Sequence, residues 1–128
     1  MSDHDMAVMM FFEKHPNALP LYDEFAEKLY ESFPDIGCRV QKTQITFTCR
    51  HVFCCVSFAR VKKKAELPDP YLVITLGLPF PLDSPRAAVN TEPYPHRWTV
   101  HIPIGSTQDL DEELFAWIRQ SYDYARKK

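Results

Sequence analysis

The sequence predicts an α+β domain in two layers, an antiparallel sheet of about five strands with N- and C-terminal helices packed on one face. Three observations predict it. Apolar residues recur at helical spacing near the two ends of the chain, whereas residues 36–78 break into short β-rich runs and 97–102 alternate with period two. The breaks at Gln41-Lys42-Thr43 and Arg50-His51 are short enough for hairpins, so the strands they join are expected to run antiparallel. The last strand then leads directly into an amphipathic helix. At 128 residues the chain fits one domain, 1–128, comprising an N-terminal segment with a short helix (1–15) and an α+β core (16–126).

Met6, Met9 and Met10 lie at helical spacing and predict a first helix, capped by Asp5 and ended before Pro16, whose methionines fill gaps in the core, with a partner-binding face as the alternative. Asn17 supplies a cap for a second helix, in which Pro20 is tolerated because its missing N–H falls in the first turn. Leu21, Phe25, Leu29 and Phe33 form its buried stripe. Asp23, Glu24, Glu27 and Glu31 lie mostly opposite and read as a solvated face rather than as paired carboxylates for acid–base work. Pro34 ends the helix, since the residue before a proline avoids the α region.

Three strands follow at 36–40, 44–49 and 52–58. In the second, Ile45 and Phe47 point one way and Gln44, Thr46 and Thr48 the other; the third is apolar on both faces and is expected to be central. The run Arg60-Val61-Lys62-Lys63-Lys64 reads as a solvated hairpin end, with phosphate contacts as the alternative. Residues 71–76 form a fourth strand. Residues 78–95 hold five prolines and read as a long loop, and such loops in compact domains usually carry function.

In the final strand Trp98, Val100 and Ile102 alternate with Arg97, Thr99 and His101. Ser106 with Asp109, or Asp109 with Glu112, caps the helix that follows. Its stripe is Leu110, Leu114, Trp117, Ile118, Tyr122 and Ala125, and acids crowd its start and cations its end, as the helix dipole favours.

Composition excludes several function classes. With 45% hydrophobic and 25% charged residues the chain is globular, and a formal charge of −2 argues against coating nucleic acid through bulk charge, although a local basic patch remains. The start, Met1-Ser2-Asp3-His4-Asp5, is acidic where a secretory signal is positive, and no apolar run approaches a membrane span, so a cytoplasmic protein without membrane contact is expected. Gly37, Gly77 and Gly105 stand alone, so neither a phosphate-binding P-loop nor a dinucleotide fingerprint can be written. Cys38, Cys49, Cys54 and Cys55 lack C-x-x-C spacing. Adjacent Cys54 and Cys55 point to opposite faces of a strand, so buried reduced thiols are expected, with no metal and no cofactor.

Lys42-Thr43-Gln44-Ile45-Thr46-Phe47, Leu82-Asp83-Ser84-Pro85-Arg86, Arg97-Trp98-Thr99-Val100-His101 and Asp109-Leu110-Asp111-Glu112-Glu113-Leu114, with Trp117 and Tyr122, resemble the bacterial family called domain of unknown function 5655. The resemblance runs from about Phe11 to Ala125, with Ser121 standing where a small alanine is expected. It implies a fold and motif positions but no activity. Members of that family occur alone and as modules attached to other domains, which implies binding rather than chemistry.

The residues themselves add one surface. Thr46, Thr48, Arg97, Thr99 and His101 project from strand faces where core formation does not need them, and Lys42 and Arg86 sit in turns or loops able to reach the same side. Together they are expected to form a cationic, hydroxyl-lined site for a small carboxylate or phosphate. One rival is a protein-interaction module using loop 78–95 and Phe80, Tyr94 and Trp98, with a protein partner or a second copy. Another is a hydrolase with His101 as base and Ser84, Ser57 or a cysteine as nucleophile, but no nucleophile elbow accompanies them.

Overall fold

The alternating segments hydrogen-bond into a six-stranded sheet, and the helical segments cover it. The computed structural model describes residues 2–127. Its helices are α1 (Asp3–Phe11), α2 (Leu19–Ser32) and α3 (Glu112–Arg126); its strands are β1 (Gly37–Val40), β2 (Gln44–Thr48), β3 (Val52–Ser57), β4 (Leu72–Leu78), β5 (Val89–Tyr94) and β6 (Arg97–Ile104). The order across the sheet is β1-β2-β3-β4-β6-β5, with every neighbouring pair antiparallel.

Residues opposite one another in the ladders share a face. One face collects Phe47, Cys54, Leu76 and Val100 in one row and Ile45, Val56, Ile74 and Ile102 in the next, all buried. Leu114, Ile118, Tyr122 and Ala125 of α3 and Leu21, Tyr22, Phe25 and Leu29 of α2 join the same core, with Trp98 and Trp117 partly buried against it. Complete burial of Val100, Ile102, Leu114 and Ile118 contributes about 1.5–3 kcal/mol each. The other face presents Gln44, Ser57, the buried Val73 and Pro103 in one row, Thr46, Cys55, Thr75 and His101 in the next, and Gly77 and Thr99 beyond.

Several expectations change. The segment 78–95 is not a loop throughout, because Val89–Tyr94 pairs with β6 as the sixth strand. It lies at the sheet's edge, where Pro93 breaks no ladder on its outer side. The methionines of α1 are not core: Met6, Met9 and Met10 are 53%, 52% and 69% exposed, and α1 is anchored instead by Val8 and by Phe12 just beyond its end. Ser2 rather than Asp5 caps α1, its hydroxyl accepting from Asp5 N at 3.1 Å. Asn17 donates to Asp69 at 3.0 Å and caps nothing; a 3-10 turn, Pro16–Ala18, leads into α2. The Ser106–Asp109 capping pair forms, but it opens the 3-10 turn Thr107–Asp109, with Asp109 accepting from Gly105 N and Ser106 N, whereas Asp111 is the cap of α3, accepting from Leu114 N at 3.0 Å.

Ser121 has a bridging role. The β3–β4 ladder reaches Cys54 opposite Leu76, and the next pair would be Phe53 with Gly77. There the Ser121 hydroxyl stands between the strands, donating to Phe53 O at 2.6 Å and accepting from Gly77 N at 3.2 Å. The residue is fully buried, so the departure from alanine is satisfied and ties α3 to both strands.

Candidate functional site

The polar face of the sheet carries a concavity of about 810 Å³. Its floor comes from four strands: Gln44 of β2, Ser57 of β3, Thr75 of β4, and Thr99 and His101 of β6. Strand alternation puts each of these side chains opposite the core. Lys42 and Thr43, in the tight β1–β2 turn closed by Gln41 N donating to Gln44 O, stand at one end. The rim is supplied by Lys14, His15, Glu13 and the end of α1.

That rim is held by rings. Phe11 and His15 stack on Phe58 with centroids 5.6 and 4.0 Å apart, Phe12 meets Phe58 edge-on, and Tyr71 donates its hydroxyl to Phe58 O at 2.8 Å. Aromatic pairs of this kind contribute about 0.5–1.5 kcal/mol beyond area burial. The end of α1 is thereby fixed beside the polar face.

His101 is the most constrained group on the floor. Its Nδ1 lies 2.8 Å from the Thr75 hydroxyl, its partner directly across the β4–β6 ladder. Burial pushes its pKa below the ordinary histidine value, so the neutral imidazole is favoured in the free protein. When the hydroxyl donates to Nδ1, the ring proton resides on Nε2, which becomes a hydrogen-bond donor. Two ammonium groups, four hydroxyls, an amide and two imidazoles suit an anion bearing several oxygens, with Glu13 the opposing charge on the rim.

The seven residues expected at the site divide among four places. Lys42, Thr99 and His101 line the concavity together. Thr46 and Thr48 line a neighbouring one of about 610 Å³ toward the β1 edge, and Gln44 borders both. Thr46 is buried rather than outward-facing in effect: its hydroxyl donates to Gln41 Oε1 at 2.7 Å and accepts from Gln44 Nε2 at 3.2 Å. Arg97 shares the face of Thr99 and His101 but lies four residues from His101, roughly 13 Å along the strand. It stands outside the concavity.

Arg86 is a correction. Its guanidinium donates to both oxygens of Asp111 at 2.9 and 3.0 Å, to Glu113 at 2.9 Å and to Asp109 O at 2.8 Å, and it lies 5.5 Å over the Trp117 ring. It clamps the start of α3 and has no place at the polar face. Sequence reasoning passed over Thr75, Lys14 and His15 as site residues. Thr75 left a signal, as the single hydroxyl in an otherwise apolar strand, Leu72–Leu78. Lys14 and His15 left none, because their place depends on where α1 docks.

Ser57 and His101 line the same concavity, but β4 separates their strands, so about 9.5 Å lies between the two backbones, and the Ser57 hydroxyl accepts from Ala59 N. The segment 78–95 is fastened to the body: Asn90 donates to Leu82 O and accepts from Leu82 N, and Ser84 accepts from Arg86 N. Of its large apolar groups, Phe80 and Tyr94 remain exposed.

Among the described residues no group of three or more His, Cys, Asp or Glu is placed to hold a metal ion, and no helix is long and apolar enough to cross a membrane. No curated protein and no solved structure matches the chain. A family model does match it, over residues 9–125, and is described as Domain of unknown function (DUF5655).

Proposed function

The chain belongs to the domain of unknown function 5655 family, whose description names no activity, and we propose from the chain's own surface that it is a binding domain for a small anionic ligand on the polar sheet face. The observation that carries this reading is the convergence of Lys42, Thr99 and His101, from a turn and a strand far apart in sequence, on one concavity floored by hydroxyls. A sheet face that served only to be wetted would need no histidine fixed at 2.8 Å by a threonine across the ladder. Charge-assisted contacts to an anion contribute about 1.5–3 kcal/mol each before ordering costs. Two or three of them support micromolar to millimolar affinity. We place the protein in the cytoplasm, a reading supported by its four free cysteines.

The test is a panel of phosphates and carboxylates followed by amide NMR shifts. Ligands of this site should shift Thr75, Thr99 and His101, and Lys42→Ala and His101→Ala should each weaken binding roughly three- to thirtyfold while the domain stays folded. Affinity should fall with salt, because Lys42 and Lys14 act partly through charge. Shifts confined to other surfaces, or affinities indifferent to both substitutions, would refute the reading.

A further inference from the structure

A second concavity, of about 430 Å³, meets the first at His15 and Phe58, which line both, and is lined beyond them by Asn17, Arg60, Lys64, Asp69 and Tyr71 among others. We propose that it binds a guanine-type nucleoside monophosphate, at a site separate from the polar sheet face. The volume falls within the range of about 300–1,000 Å³ in which small-molecule sites cluster.

The walls of this cleft are fixed by the fold. Its floor is the ring cluster of Phe58, His15 and Tyr71, with the Tyr71 hydroxyl holding the two ends of the 58–71 segment together through Phe58 O. Its outer wall includes Pro68, against which Gly105 lies so closely that an added Cβ would stand 2.5 Å from the proline ring. Only glycine permits that approach of the loop to the end of β6.

The lining carries the three kinds of group a nucleotide engages. Arg60 and Lys64 supply positive charge, and neither is spent internally, since the ion pairs among the described residues both belong to Arg86. Guanidinium and ammonium groups are the usual partners of phosphate oxygens. His15, whose ring is itself backed by Phe58 at 4.0 Å, and Tyr71 offer ring surface for a planar base. Asn17 and Asp69 select among bases: Asn17 Nδ2 donates to Asp69 Oδ1 at 3.0 Å, which leaves the other carboxylate oxygen and the Asn17 carbonyl oxygen as acceptors. A base edge that offers two adjacent donors, as the N1–H and exocyclic amine of guanine do, matches those acceptors. Adenine, which offers one donor beside an acceptor, leaves an acceptor facing a carboxylate.

The experiment is calorimetric titration of the full chain with GMP, AMP and inorganic phosphate, repeated on Arg60→Ala/Lys64→Ala, Asp69→Asn and Lys42→Ala, each checked for an unchanged melting profile. GMP should bind at least about tenfold more tightly than inorganic phosphate, the double substitution should cost about tenfold or more, and Lys42→Ala should leave GMP affinity unchanged. Asp69→Asn should erase the preference for GMP over AMP. GMP binding no tighter than inorganic phosphate, equal affinity for GMP and AMP in the unaltered protein, or loss of GMP binding on Lys42→Ala but not on the double substitution would each overturn the proposal. The last result would move the nucleotide to the sheet face, whereas failure of the sheet-face reading leaves this cleft's outcome independent of it.

Discussion

Ser121→Ala should destabilise the domain by about 2–4 kcal/mol, because one hydroxyl satisfies two backbone groups in a site without water access. The hydroxyl donates to Phe53 O at 2.6 Å and accepts from Gly77 N at 3.2 Å, and the residue is fully buried. Deleting it leaves a carbonyl and an amide unpaired, at about 1–3 kcal/mol each. The hydroxyl-sized void left behind adds to that cost. Against a domain stability of about 5–15 kcal/mol this is a large fraction. In urea, where small domains lose about 1–3 kcal/mol per molar, the midpoint should fall by on the order of 1–2 M. Amide exchange gives the local readout, as Gly77 N–H should lose protection beyond the global change. A loss under about 0.5 kcal/mol with Gly77 still protected would refute the reasoning and show that β3 and β4 close to pair directly, as an alanine in this position would then allow.

The clamp at the start of α3 predicts an acid-sensitive contribution. The backbone N–H of Leu114 first, and Arg86 second, hold the Asp111 carboxyl below its ordinary range, so its stabilisation is full above the unfolded carboxylate pKa and is lost as pH falls through the lower folded value. Asp111→Asn should flatten that acid limb in unfolding curves followed from neutral pH downward, and an unchanged limb would count against the clamp. The His101 ring should titrate by NMR below free histidine in the ligand-free protein and shift upward on anion binding; Thr75→Val should alter its tautomer-sensitive nitrogen shifts. Truncation after Gly105 uncovers Val100, Ile102 and Ile104, and calorimetry of the truncated chain should show no cooperative transition.

The sequence by itself determined the fold class and the core face. Those follow from periodicity, which is local: alternation in 44–48 and 97–104 and the α3 stripe each state which side must be dry before any partner is known. It also determined that Thr99 and His101 share a face, since two residues along a strand always do. Only the tertiary structure decided the rest. Val89–Tyr94 has almost no buried side and a proline, so its strand character comes from hydrogen bonds to β6 rather than from any pattern of its own. Arg86 and Lys42 are both cations in loops or turns, and nothing in their neighbourhoods says that one faces Asp111 and Glu113 while the other borders an open concavity. That difference is set by ladder register and helix docking, which bring together side chains tens of residues apart. Carboxylates placed beside the Arg86 guanidinium close a clamp, whereas the Lys42 ammonium borders the concavity.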